Sequence, residues 1–302
     1  MLYLILATIC SATIALIFKY TENSNLDRYV ITSSNYFIAS VTSLFMIFSK
    51  KIFTSIDMDT SFVKEINIAL TSDYILSPYS SIVWGVLVGL IAGVFFFLSF
   101  IYYQKSVNEN GVGISGTFGK LGILIPMMFS VIFWKEYPSY LQWVGIVLSI
   151  VSILIVNLSM KSIKTFDVKP TLILLFAFGG LAEFSSKIYQ KYALNQYKDV
   201  FLFVIFFVAF IISVAYTFKM KSKVTKKDIY TGFIVGIPNL FSSYFIILAL
   251  DTLKTSVVFP LFSAGSIVLI NIGGVLIFKE KIPKKNKVAT AMIIFALVLI
   301  NI

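Results

Sequence analysis

One carboxylate stands out by position. Of the fourteen Asp and Glu residues, Glu183 alone falls well inside an apolar run, while the other thirteen lie at run ends or in polar connectors. A charge at the centre of a bilayer costs about 2.5–3.5 kcal/mol even on insertion scales, so such a residue should face a cavity or a partner charge. Two lysines are placed to be that partner. Lys187 follows at i+4 on the same helical face, in the favourable acid-before-base order. Lys120 sits inside another apolar run, within Gly116-Thr117-Phe118-Gly119-Lys120-Leu121-Gly122. Two readings stay open: a structural ion pair with either lysine, or a site that binds substrate or protons. A single Lys and a single Glu facing one cavity would suit a zwitterion such as an amino acid, and Glu183 alone would suit an organic cation.

The remaining chemistry is sparse. There is no histidine and one cysteine, Cys10, which excludes an internal disulfide, a cysteine-rich metal site and an imidazole base. Proton-coupled chemistry must then run through carboxylates. No metal or other cofactor is expected, and no paired carboxylates or nucleophile–base set points to an enzyme. Tyr102 and Tyr103, followed by Gln104, and Asn239 with Tyr244 pair polar tips with aromatic faces, and are taken as further substrate-binding candidates. Tyrosine rings hold ammonium groups by cation–π attraction, although Tyr102 and Tyr103 equally suit anchoring at the membrane interface. Asn271 is read as interhelical glue.

The elements that must position these residues are written in the composition. The chain of 302 residues is 58% hydrophobic and 13% charged, with a mean hydropathy of +0.92. An ordinary soluble domain runs at about 45–50% apolar and about 25% charged. Ten apolar blocks emerge, at about 2–18, 30–49, 82–104, 113–134, 140–160, 170–190, 200–218, 229–250, 257–278 and 287–301. A spanning helix needs about 20 such residues. The expected fold is an all-α integral membrane protein of ten transmembrane helices, the first beginning at the N-terminus in place of a signal peptide. Gly85, Gly89 and Gly93 form two G-x-x-x-G steps for close helix packing. Pro126, Pro238 and Pro260 interrupt the fourth, eighth and ninth blocks and are expected to kink them. Within the long connector at about 50–81, Phe62, Ile66, Ala69 and Leu70 fall at helical spacing, with Lys64, Glu65 and Asn67 on other faces. That pattern fits a short amphipathic helix on the membrane surface, with a solvated loop as the alternative reading.

The chain also repeats itself. Lys135-Glu136 recurs as Lys279-Glu280 and Asn157 as Asn301, at an offset of 144. Lys19-Tyr20, Asn23 and Asp27 recur as Lys191-Tyr192, Asn195 and Asp199, at an offset of 172. The two offsets differ by the length of the extra connector. The expected organisation is therefore two five-helix repeats, residues 1–160 (with the extra loop at about 50–81) and 161–302. An odd number of spans per repeat inverts the second against the first, an arrangement typical of secondary transporters that work by alternating access.

On these residues the chain resembles the drug/metabolite transporter superfamily, in its ten-helix EamA-type branch. The span endings Trp134-Lys135-Glu136 and Phe278-Lys279-Glu280, each before a Gly- or Ala-punctuated last helix, carry that likeness over nearly the whole chain. Gly180-Leu181-Ala182-Glu183, with Lys191 eight residues on, resembles the first helix of the small multidrug resistance transporters of the same superfamily. There an Ala-Glu in mid-helix binds protons or cationic substrate competitively. The resemblance implies that Glu183 is the coupling carboxylate. The repeat places Ser11 opposite it, which leaves one acid in place of two.

The expected activity is thus alternating-access transport of a small polar metabolite, an amino acid or an organic cation or amine, with proton coupling through Glu183. A lipid scramblase or a non-transporting membrane scaffold is the alternative. The net charge of +11 fits Lys-rich loops against an anionic leaflet rather than nucleic acid. A multi-pass protein of the plasma (inner) membrane, monomeric or homodimeric, is expected. Its partners would be the bilayer and a small-molecule substrate. Orientation is contested: odd-numbered connectors carry 15 Lys and Arg against 7 in the even ones, which puts both termini outside. The family resemblance implies both termini inside.

Overall fold

The computed structural model describes residues 1–20, 26–53, 61–72, 74–157, 169–279 and 284–301. Asn23 and Glu280 of the repeat lie outside the described residues, as do the side chains of Gly111, Gly113, Asn157 and Asn301. Among the described residues the regular structure is entirely helical. The helices are α1 (Leu2–Tyr20), α2 (Arg28–Ser49), α3 (Phe62–Thr71), α4 (Pro78–Leu121), α5 (Leu124–Trp134), α6 (Tyr140–Asn157), α7 (Pro170–Tyr192), α8 (Lys198–Lys219), α9 (Lys226–Thr252), α10 (Thr255–Phe278) and α11 (Lys284–Asn301). Eight segments of these are long and apolar enough to cross a bilayer, and Tyr140–Ile155 and Asn286–Ile300 are shorter apolar helices. This is an all-α membrane protein of about ten membrane helices.

The third and fourth apolar blocks share one unbroken helical stretch, α4, where a polar connector was expected. At a rise of about 1.5 Å per residue a straight helix would hold Ser106 and Ser115 about 13.5 Å apart. Their hydroxyls are hydrogen-bonded at 2.7 Å. Tyr103 likewise lies beside Gly119. The stretch therefore folds back on itself near Asn110, and the two arms run side by side as separate spans.

The chain packs into two compact units. Unit 1 comprises residues 1–16, 98–184 and 252–302, and unit 2 comprises residues 17–97 and 185–251. Each draws on both halves of the chain, so packing groups the helices differently from the sequence repeat.

In unit 1, α6 and α11 are each 18 residues long, at an offset of 144, and lie antiparallel. Gly145 near the start of α6 meets Ile300 near the end of α11, and Gln142 Nε2 donates to the Ile300 carbonyl. Ile153, Ala264, Ile267 and Ile293 close a core between α6, α10 and α11. Lys135 and Lys279 end α5 and α10 in the same left-handed conformation, with φ of 53° and 54°, their N–H groups bonded to Ser130 and Gly274. Glu136 accepts the backbone N–H of Thr255 at 2.9 Å, so the acid of the repeated Lys-Glu pair caps the first turn of α10.

In unit 2, α2 and α8 are each 22 residues long, at an offset of 170, and also lie antiparallel. Ser33 bonds Thr217 at one end and Lys50 reaches Asp199 at the other. Lys19-Tyr20 and Lys191-Tyr192 close α1 and α7 at the offset of 172 read from the sequence, but the first connector is two residues longer. Asp27 is consequently the N-cap of α2, whereas Asp199 lies inside the first turn of α8. Gly89 and Gly93 press the first arm of α4 onto Val204 and Val208 of α8, where an added Cβ would sit 2.9 Å and 2.7 Å from the valine Cβ atoms. The long connector does contain a helix, α3, but Glu65 and Ala69 form its buried face and Leu70 is exposed with Val63 and Ile68. Glu65 turns inward because its carboxylate accepts the Ser77 N–H at 2.8 Å, at the start of α4.

Candidate functional site

The site is built where α7 crosses the break between α4 and α5, within unit 1. Pro126 lacks the N–H that would bond the Gly122 carbonyl, so Ile125 takes that carbonyl at 3.0 Å and the helix opens at Gly122-Ile123. Pro126 thus sits in the first turn of α5, where its missing N–H is cheap, and not in mid-helix as the apolar pattern suggested. Pro238 and Pro260 are interior to α9 and α10 as expected. At the break, Gly180 of α7 rests on the Gly122 backbone, and a Cβ on Gly122 would lie 2.9 Å from the Gly180 nitrogen.

This crossing brings two charges together. Lys120 lies two residues before Gly122, and Glu183 three residues after Gly180. Each is surrounded by protein and feels the opposite charge of the other. Both nevertheless keep accessible surface, which is the behaviour of side chains that wall a cavity. Among the described residues no hydrogen bond or direct ion pair closes the gap between them. The Lys120 ammonium instead lies 5.9 Å from the Phe262 ring centroid. Lys187, the other candidate partner, donates to Gln190 Oε1 at 3.1 Å.

Aromatic contacts hold the stretch of α7 that carries Glu183. Phe184 packs on Phe129 and Trp134, and Tyr102 on Phe178, with Lys105 over the Tyr102 ring. Tyr103 lies against Gly119, next to Lys120. Gln104 is buried and its Nε2 makes no hydrogen bond. Glu183, Lys120, Tyr102 and Tyr103 all belong to unit 1.

Asn239 and Tyr244 belong to unit 2. Asn239 Nδ2 donates to Asn35 Oδ1 at 3.1 Å, and Tyr244 lies beneath the ammonium groups of Lys50 and Lys198. Asn271 bonds Thr290 across α10 and α11 at 3.1 Å, which is the interhelical link read from the sequence. Phe262 was not anticipated, since nothing separates it from the other 29 phenylalanines until the fold sets it over a lysine. Asn35 was equally hidden, although an Asn inside an apolar run was a usable signal.

The EamA-like transporter family matches over residues 1–158, and the Small Multidrug Resistance protein family over residues 201–296. The second match begins after Glu183 and so does not itself include the Ala182-Glu183 pair. An uncharacterized protein of Haemophilus influenzae is 24% identical over 286 residues, covering 94% of this chain and 91% of the relative. A protein of known crystal structure superposes with a TM-score of 0.72 over 99% of this chain and 94% of the other, at 13% identity. At that identity the likeness concerns the fold alone.

Proposed function

The chain belongs to the EamA-like transporter family, and from that premise we propose that it is a secondary active transporter of a small polar metabolite, an amino acid or an organic amine, working by alternating access in the plasma membrane. The observation that carries the reading is the Glu183–Lys120 pair: opposite charges, mutually attracted, walled by protein and not joined. A substrate ammonium would replace Lys120 as the counter-charge of Glu183, and a substrate carboxylate would engage Lys120. Phe262 and Tyr103 would flank the ligand with aromatic faces. A proton on Glu183 would remove the charge that holds an ammonium, so proton and substrate would compete for one carboxylate. That competition is the coupling.

Alternating access draws support from the paired helices. Equal-length, antiparallel pairs at fixed sequence offsets, α2 with α8 and α6 with α11, are what two inverted repeats produce. Pro238 and Pro260 lie inside α9 and α10, positions at which helices of such a transporter can bend.

The test is substrate-induced current in proteoliposomes, with amino acids, polyamines, quaternary amines and nucleosides offered under an imposed pH gradient. Wild type should respond to amino acids or amines, and Glu183→Gln should not. Silence of the wild type across the panel would favour a scramblase or scaffold. An undiminished current in the variant would remove Glu183 from the mechanism.

A further inference from the structure

A charged surface unused by the transport reading lies at one end of unit 2. The six residues 220–225 join α8 to α9, both long and apolar enough to span, so this corner stands at the membrane–water boundary. The start of α2 is tied to it: the Asp27 N–H donates to Asp228 Oδ1 at 3.0 Å, and the Ser33 and Thr217 hydroxyls are bonded at 2.9 Å. Six cations belong to the corner, Arg28, Lys219, Lys221, Lys223, Lys226 and Lys227, and all six are exposed. Among the described residues none of their side chains makes a hydrogen bond or an ion pair.

The two acids of the corner do not offset them. Asp27 accepts the N–H groups of Tyr29 and Val30 as the N-cap of α2. Asp228 is buried, with the Asp27 N–H on one carboxylate oxygen and the N–H and hydroxyl of Thr225 on the other. Both carboxylates are thus committed to helix starts. Helix stability does not account for the cations either. Lys219 closes α8, where a cation suits the dipole, but Arg28, Lys226 and Lys227 lie in the first turns of α2 and α9, where a cation opposes it. Crowded like charges repel one another, and they call for an anionic counter-surface.

Apolar side chains are interleaved with these charges. Phe218 and Tyr230 are 77% and 72% exposed, and Met220 and Val224 are exposed between the lysines. Aromatic side chains at span ends sit at headgroup depth, and lysines beside them attract anionic lipid. A soluble polyanion would meet the charges but leave these four side chains in water. We infer that the α8–α9 corner, with the start of α2, is a docking surface for anionic phospholipid. Headgroup phosphates contact the five lysines and Arg28, while Phe218, Met220, Val224 and Tyr230 enter the layer beneath the phosphates.

The experiment uses the full chain and reads lipid binding without transport, so failure of one reading leaves the other standing. The protein is placed in nanodiscs of phosphatidylcholine alone or doped with phosphatidylglycerol. Native mass spectrometry reads the lipid retained, and thermal unfolding reads the stabilisation. Wild type should retain phosphatidylglycerol over phosphatidylcholine and unfold at a higher temperature in its presence. Both effects should weaken as sodium chloride is raised. Lys226→Gln with Lys227→Gln should weaken retention of phosphatidylglycerol about tenfold. This variant should fold normally, because it removes cations from a helix N-terminus. Lys64→Gln, at an exposed lysine of α3, should behave like wild type. Glycerol 3-phosphate, which carries the phosphate without acyl chains, and a short RNA should not displace the lipid. The inference is overturned if the two lipids are retained equally, if retention ignores salt, or if the double variant retains phosphatidylglycerol like wild type. Equal loss in Lys64→Gln, or displacement by glycerol 3-phosphate or RNA, would overturn it as well.

Discussion

Gly122 and Gly180 touch backbone to backbone, and neither position has room for a methyl group. The contact sets how closely α7 approaches the end of α4, and therefore how far Glu183 stands from Lys120. Two glycines with no chemistry of their own thereby position both charges of the site.

Gly180→Ala should force the helices apart, costing about 1–3 kcal/mol and impairing transport. Gly179→Ala is the control, since its Cβ would meet only Ser99 Oγ at 3.4 Å and the Gly119 carbonyl at 3.9 Å. Thermal unfolding in detergent and uptake in proteoliposomes should fall for the first variant and stay near wild type for the second. Equal behaviour of the two would break the link between the crossing and the site.

The Lys50–Asp199 pair carries a pH signature. Burial pulls the Lys50 ammonium down, but the hydrogen bond and charge of Asp199, with help from Tyr244, more than offset it and leave its pKa above the ordinary 10.5. A lysine raised on folding contributes stability that is fully present below its unfolded value and is lost as pH rises through the folded one. The Tm gap between wild type and Lys50→Met should therefore be constant through the neutral range and close only above the ordinary value of 10.5. Closure on acidification alone would contradict the assignment.

Asn35 and Asn239 satisfy each other inside unit 2. Asn239→Leu alone strands the Asn35 carbonyl oxygen and should cost about 1–3 kcal/mol, while Asn35→Leu with Asn239→Leu should be nearly neutral. A double-mutant cycle on Tm measures the coupling. Additive losses would point instead to separate partners for each amide.

Glu65 ties α3 to the start of α4 through the Ser77 N–H. Glu65→Gln keeps an acceptor and should hold most of the stability, whereas Glu65→Ala should lose about 1 kcal/mol and loosen α3. Limited proteolysis near α3 reads the difference, and equal protection of both variants would deny the tie.

Much of this architecture was legible in the chain because bilayer spans are written in length and apolar content, which need no knowledge of partners. The reversal within α4 had its signal in the polar stretch Asn108-Glu109-Asn110-Gly111, and the structure adds only that helical bonding persists to either side. The break at Gly122 was misplaced by four residues, at Pro126, because a proline disturbs the carbonyl one turn before it. Glu183 and Lys120 were singled out as candidates by depth, since an ionisable residue inside an apolar run is conspicuous. The pairing of Lys50 with Asp199, 149 residues apart, had no local mark. Both looked like ordinary residues at span ends until α2 and α8 were laid antiparallel. The inward turn of Glu65 was hidden for the same reason: its acceptor role depends on a backbone N–H in another helix.

The central claim is that one carboxylate, Glu183, serves proton and substrate in turn. It is tested most directly by loading proteoliposomes with a pH-sensitive dye and adding the substrate found in the current panel, with no gradient imposed. Wild type should move protons across the membrane when substrate is added, and Glu183→Gln, folded to the same Tm, should not. Substrate-driven proton movement that persists in Glu183→Gln would contradict the account.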